Sequence, residues 1–175
     1  YCDLLSIEIQ KTKSEGGAVQ KAPQVTTSFQ PDISSDYIEN MSLRIDYYYR
    51  VGSATSLEQL NRIEKELVDV FGPIPEKTKN LLLVASLKIR YKSTPVSQID
   101  IQDSVLKIVI QPFYEEQQLI FLSRVGIYKH KTLESLRFKE VSGGLLSVFI
   151  NISESEDVFD LLFDFVHLFD LVDTA

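Results

Sequence analysis

The steps that most constrain this chain are Gly72-Pro73 and Ile74-Pro75, because they end one helix and open another within a single turn of backbone. Upstream, Leu57, Leu60, Ile63, Leu67 and Val70 recur every three or four residues, which places them on one helix face. Ser56 precedes the run and Gln59 follows three residues later, the spacing of a capping box in which two side chains satisfy free backbone N–H groups at a helix start. Phe71 closes the run, Gly72 supplies the conformationally permissive C′ position, and Pro73 has no N–H with which to continue. Pro75 suits the first turn of a second helix, where a missing donor has no intrahelical partner to lose. The stretch from Ser56 to Leu87 therefore reads as two helices, over 56–71 and 75–92, held at a fixed angle by the stiff corner FGPIP.

Elements of different period surround this corner. Residues 1–14 read as the tail of a helix that begins upstream, and 15–35 as a linker marked by Gly16-Gly17 and Pro23. Within that linker, Val25, Thr27 and Phe29 alternate with Thr26 and Ser28 as in a short strand. Asp36 with Glu39 offers a cap for a helix over about 37–52, whose apolar stripe would be Ile38, Met41, Ile45, Tyr48 and Val51. Tyr47, Tyr48 and Tyr49 must point in different directions around it, leaving at least one exposed. After Thr94-Pro95 the period shortens to two. Ile99 and Ile101, then Leu106, Ile108 and Ile110, predict two strands around a turn at Asp103-Ser104, with Pro112 closing the second. Residues 115–124 suggest a short helix. Leu136, Phe138 and Val141 then face Leu146, Val148 and Ile150 across Gly143-Gly144 as a hairpin. A last helix over about 154–171 follows, with Ser153 and Glu156 as a second capping box. Blocks of helix and strand in this order predict an α+β fold: an N-terminal helical part around FGPIP, packed with a mainly antiparallel sheet and a C-terminal helix. Residues 36–175 are expected to form one domain, a size that buries a real core.

Charge narrows the function classes. With 18 Lys and Arg against 25 Asp and Glu, the chain carries −7, which argues against a broad nucleic-acid surface. All of that excess lies beyond Ser153, where Glu154, Glu156, Asp157, Asp160, Asp164, Asp170 and Asp173 meet no Lys or Arg. No apolar run approaches the ~20 residues of a membrane-spanning helix. The first residues lack a secretory-signal pattern, and one cysteine, Cys2, cannot close an internal disulfide, which suits a cytoplasmic setting.

The chemical motifs are mostly missing. GxxxxGK[ST], HExxH, CxxC and GxSxG are absent, so no catalytic residue, cofactor or metal is assigned to this chain. Asp157, Asp160, Asp164 and His167 share one stripe of the last helix, the ligand types of a divalent-metal site. Carboxylates on one straight helix do not converge enough to enclose a cation, so the stripe reads as a solvated face. The opposite side, from Val158 to Phe169, is apolar over more than half the circumference and reads as core. Residues 124–139 gather Arg124, Lys129, Lys131, Arg137 and Lys139 with Tyr128 and Phe138, the residue types that hold phosphates and stack on bases. This supplies the alternative reading, a small nucleic-acid-binding module, against the plainer one of an exposed sheet face.

Over about residues 36–92 an ordered set of short motifs carries a resemblance. Tyr37-Ile38, Leu43-Arg44, Tyr49-Arg50, Ser53-Ala54, Glu66-Leu67-Val68-Asp69, the corner Phe71–Pro75 and Asn80-Leu81-Leu82, at matching spacing, resemble the C-terminal domain of the bacterial transcription-repair coupling factor. Tyr1–Leu5 resembles the chain just before that domain, where a helicase-like motor ends. The resemblance implies a regulatory domain without catalytic motifs, ATP and magnesium belonging to the motor of a cytoplasmic parent that displaces stalled RNA polymerase and recruits nucleotide-excision repair. It implies docking on an N-terminal module similar to a repair helicase subunit, which restrains the motor and masks the surface that captures the damage-recognition ATPase. Glu66 and Asp69 match the acidic positions of the family's E-L-x-D-R-F-G segment and are the candidate inter-domain contacts; Val70 stands where the family has Arg. Three residues apart and away from Leu60, Ile63 and Leu67, the two carboxylates are expected to reach a partner's arginines without supporting the core.

Overall fold

In the computed structural model, which describes residues 21–111, 123–124, 137–141, 145–152 and 158–169, the chain is α+β. It runs β1 (Gln24–Thr27), α1 (Met41–Ser53), α2 (Leu57–Phe71), α3 (Glu76–Arg90), β2 (Val96–Ile101), β3 (Val105–Ile110), β4 (Arg137–Val141), β5 (Leu145–Asn151) and α4 (Val158–Phe165), which tightens into a 3-10 turn at Val166–Phe169. The strands form one sheet in the order β1-β2-β3-β5-β4. β1 runs parallel to β2, and every other pairing is antiparallel.

The alternation read from the sequence sets one face of this sheet. Ile99, Ile108 and Val148 stand in one cross-strand row, and Ile101, Leu106 and Ile150 in the next. All six are buried, under α3 and α4. Val84 and Leu87 come from α3, and Tyr91 is the residue that caps its end; Phe159, Leu161, Leu162 and Phe165 come from α4. The Tyr91 hydroxyl donates to the Leu162 carbonyl at 2.5 Å, so even the polar tip of this buried ring is satisfied.

A second core lies on the other side of α3, where Leu82 joins Ile33, Ile38, Tyr47, Val51, Leu60, Ile63 and Leu67. α3 thus faces sheet and α4 on one side and α1 and α2 on the other. This accounts for Asn80–Leu87, which is apolar around most of the helix, because a helix packed on two sides needs no polar stripe of its own. Buried Thr78 donates to the Asp32 carbonyl at 2.9 Å, tying the segment after β1 to the start of α3.

The corner holds as read, with two differences of detail. Ser56 Oγ accepts the Gln59 N–H, but Gln59 Oε1 returns to the Thr55 N–H rather than to that of Ser56. Pro75 is the residue before α3 rather than inside its first turn. Gly72 donates to the Val68 carbonyl and has φ of 85°, the left-handed side that disfavours any residue with a Cβ. Val70, expected on the buried stripe with Leu60, Ile63 and Leu67, is 62% exposed.

The largest correction concerns α1. The segment expected to start it is a turn, with the N–H groups of Tyr37 and Ile38 both meeting the Ser34 carbonyl. The cap is Asn40, whose Oδ1 accepts the Leu43 N–H, and not Asp36. The helix is consequently rotated relative to the expected stripe: Tyr47 and Val51 are its buried residues, whereas Met41 and Ile45 are exposed. Of the three tyrosines, Tyr47 is buried, Tyr48 is half-buried and Tyr49 faces solvent. Both hairpins form at the expected places, and the short strand after Pro23 is β1. Of the helix expected over 115–124 only residues 123–124 are described, and they are helical; the expected helix at 1–14, the cap at Ser153 and Glu156, Pro112 and Gly143-Gly144 fall outside the described residues.

Candidate docking surface

α1 and α2 pack against each other, and the side chains between them end in a charged seam. Arg50 of α1 reaches across to Glu66 of α2 in a two-point contact, Nη1 to Oε1 at 2.9 Å and Nη2 to Oε2 at 2.6 Å. The Tyr47 hydroxyl donates to the same Oε1 at 2.8 Å, and the Arg50 guanidinium lies 5.0 Å from the Tyr47 ring centre. A planar guanidinium paired in this way is the strongest geometry available to a carboxylate. The hydrogen bonds from Arg50, then from Tyr47, hold the Glu66 carboxyl down at about 2. Glu66 in turn raises Arg50, and burial followed by the Glu66 contact raises the Tyr47 phenol.

Beneath this seam the corner is clamped by aromatic rings. Phe71 meets Tyr37 and Tyr47, each with ring centres 5.8 Å away. The Tyr37 hydroxyl lies 3.1 Å from the Leu67 carbonyl and 2.9 Å from that of Gly72, so its one proton is shared between two carbonyls at the end of α2.

Glu66 and Asp69 are not brought together as a pair. Glu66 turns toward α1 and is engaged there; Asp69 is exposed and lines a shallow recess of about 480 Å³ with Asn61, Glu64, Lys65 and Val68. The expectation that both carboxylates leave the domain's own packing untouched is corrected for Glu66, which joins two helices. Next to the seam lie exposed apolar side chains, Val70 at 62% and Leu43 at 44%. Val70 is one turn beyond Glu66, and Leu43 two turns before Arg50, on the same sides of the two helices. Sequence reasoning missed Arg50 and Tyr47 as partners of Glu66; Arg50 stood in the quoted motif set with no role attached.

The other candidate surfaces are placed as follows. Arg124 Nη1 donates to the Leu168 carbonyl at 3.2 Å. Arg137 and Lys139 are exposed on β4, and the register sets Arg137 beside Phe149 and Phe149 beside Lys107, whose Nζ is 5.8 Å from the Phe149 ring. The next residue in that row is Asp100, so the row is not uniformly basic. Lys129, Lys131 and Tyr128 lie outside the described residues. On the last helix Asp160, Asp164 and His167 are exposed, and Phe159, Leu161, Leu162, Phe165, Leu168 and Phe169 are buried, which is the division into wet and dry faces read from the sequence. No group of three or more metal-ligating side chains converges among the described residues, and no helix among them is long and apolar enough to cross a membrane.

Comparison with known proteins bears on the helical half first. The family model of the TRCF domain matches residues 27–119. A transcription-repair-coupling factor of Haemophilus influenzae is 34% identical over 68 residues, 39% of this chain and 6% of that protein. One from Borreliella burgdorferi is 26% identical over 160 residues, 90% of this chain and 14% of that protein. The chain thus spans a small fraction of the length of these relatives. The crystal structure of a C-terminal domain of a transcription-repair coupling factor has the same fold, with a TM-score of 0.64 at 15% identity, over 85% of this chain and 90% of the other.

Proposed function

The chain belongs to the TRCF domain family, and from that premise we propose that it is the C-terminal regulatory domain of a transcription-repair coupling factor, acting by docking within a longer polypeptide rather than by catalysis. The observation that carries this reading is the seam between α1 and α2, where Val70 and Leu43 stand exposed beside a carboxylate already neutralised from within. Docking there is a coupling free energy between a clamped and an open state of the parent, in which the clamped state restrains the motor and masks the surface for the damage-recognition ATPase. The proposed partner is the N-terminal repair-helicase-like module of the same polypeptide. Of the two carboxylates matched to the family's acidic positions, Asp69 is the one free to receive a partner's arginine. Glu66 contributes by holding α1 on α2, so that Val70 and Leu43 are presented together.

The test is Asp69→Arg combined with Val70→Asp in the complete gene product. Both positions are exposed, so the melting temperature of the domain should change little. Basal ATPase and affinity for the damage-recognition ATPase should both rise. A folded variant in which neither changes would remove this surface as the latch.

A further inference from the structure

One side of α1 has no role in the contacts described so far. Met41, Ile45 and Tyr49 lie one turn apart and are 66%, 42% and 71% exposed. At i, i+4, i+8 spacing they form a continuous ridge. Gly52 extends it, and a Cβ built there would meet nothing within 4 Å. No charged side chain belongs to the ridge; Ser42, Asp46 and Ser53 border it on the solvent side, and Tyr48, bonded to Asp32 and Ile33, on the other. Arg50 and Tyr47, which engage α2, point away from it.

The size of the ridge decides between occupants. Its three side chains expose on the order of 350 Å² of mostly apolar surface, within the range of the largest, often functional patch on a monomer. A stable complex between free molecules buries ~800 Å² on each partner, so this ridge is too small to hold a second copy by itself. A partner in the same polypeptide is different, because tethering supplies an effective concentration on the order of millimolar and a small apolar contact is then enough. The relatives are long enough to carry such a partner, since the matched regions make up 6% and 14% of their length. The ridge geometry also defines the partner's form. Rows at i±4 interlock with those of a crossing helix at about −50°, and Gly52 leaves room for that helix's backbone at the end of the ridge.

We propose that Met41, Ile45 and Tyr49 form a second docking face, occupied by an apolar helix elsewhere in the same polypeptide. This rests on the reading that the chain is one domain of a longer protein, but it uses a different side of α1 from the seam at Val70.

The experiment replaces Tyr49 with p-benzoylphenylalanine, one aromatic for another, in the complete gene product, and identifies the photocrosslinked peptide by mass spectrometry. The expected product is a crosslink within one polypeptide, to one apolar helical segment, in a yield independent of protein concentration. Ile45→Lys should lower that yield by roughly tenfold or more, the effect of losing one buried aliphatic side chain. Asp69→Arg should leave it in place, which separates this face from the one proposed above. Melting of the Ile45→Lys chain shows whether the fold survives, and Met41→Gln provides a milder second variant. Crosslinks between copies that grow with concentration, crosslinks scattered over polar loops, or none at all would overturn the proposal.

Discussion

Replacing Glu66 should destabilise this domain by a predictable amount that depends on pH. A carboxyl held at about 2 instead of the ordinary 4.5 corresponds to at most ~3.4 kcal/mol of differential stabilisation. The Arg50 and Glu66 side chains are 35% and 43% exposed, and solvent screening at that exposure reduces the figure to about 1–2 kcal/mol. Tyr47 adds a second component. It is only 4% exposed, and removing the acceptor of its hydroxyl costs about another 1 kcal/mol. Glu66→Gln keeps an oxygen for Tyr47 and loses the ion pair; Glu66→Ala loses both. At about 2–4 °C per kcal/mol for a chain of this size, the expected falls in melting temperature are about 2–8 °C for Glu66→Gln and about 4–12 °C for Glu66→Ala.

The sign of the pH dependence follows from the same pair. Because the folded carboxyl titrates below its unfolded value, its contribution is complete above pH 4.5 and is lost as the pH falls through about 2. Thermal melts of the parent and Glu66→Gln should therefore differ most at neutral pH and converge between about pH 4.5 and 2. A cycle with Arg50→Met should return a favourable coupling at pH 7. Melting temperatures indistinguishable at pH 7, or a gap that stays constant down to pH 2.5, would refute the assignment of the pair as a brace between α1 and α2.

Further outcomes follow from other parts of the fold. Gly72→Ala and Gly72→Val should each lower stability by about 1–3 kcal/mol, the range for a residue forced into sparsely populated backbone; with nothing within 4 Å of the new Cβ, Ala should lose nearly as much as Val in denaturant titrations. Tyr37→Phe removes the hydroxyl between the Leu67 and Gly72 carbonyls and should lower the melting temperature by about 1–6 °C, for a bond set worth about 0.5–1.5 kcal/mol. Single-stranded oligonucleotide binding, followed by anisotropy at low salt, should be weak and lost at physiological salt; tight binding abolished by Arg137→Glu would favour the nucleic-acid reading instead.

The helical corner was legible because its signals are local. A serine cap, an apolar stripe, a glycine and two prolines lie within one short stretch, and each acts on its own neighbours. The hairpins were legible for the same reason, since alternation and turn residues specify pairing over short distances. α1 was misread because two stripes compete in its sequence. Ile38, Met41 and Ile45 are the more apolar set, but the buried set contains Tyr47 and Val51, with Arg44 and Tyr48 half-buried beside them. Those polar tips become affordable inside only because distant groups receive them: Glu66 for Tyr47, Asp32 and Ile33 for Tyr48, and the Ile38 and Glu39 carbonyls for Arg44. Nothing in a hydrophobic period records such partners. The parallel pairing of β1 with β2, which sets Val25 beside Ile99, joins segments too far apart for any local pattern to announce.

The arrangement of the seam bears on how the docking proposed above would obtain its energy. A partner arginine that approached an unpaired Glu66 would have to desolvate two charges before gaining their attraction, an exchange that often comes out near zero. Here Arg50 has already taken that carboxylate, so a partner meets a nearly neutral surface edged by Val70 and Leu43. With an exposed Val70 at its edge, the proposed contact would rest more on apolar burial, which salt screens little. Asp69, outside the pair, would in that proposed contact serve orientation more than affinity, as rim charges do. The domain should accordingly release its partner through competition for apolar surface rather than through changes in ionic strength. Clamping measured at low and high salt should differ by far less than the loss caused by Val70→Asp.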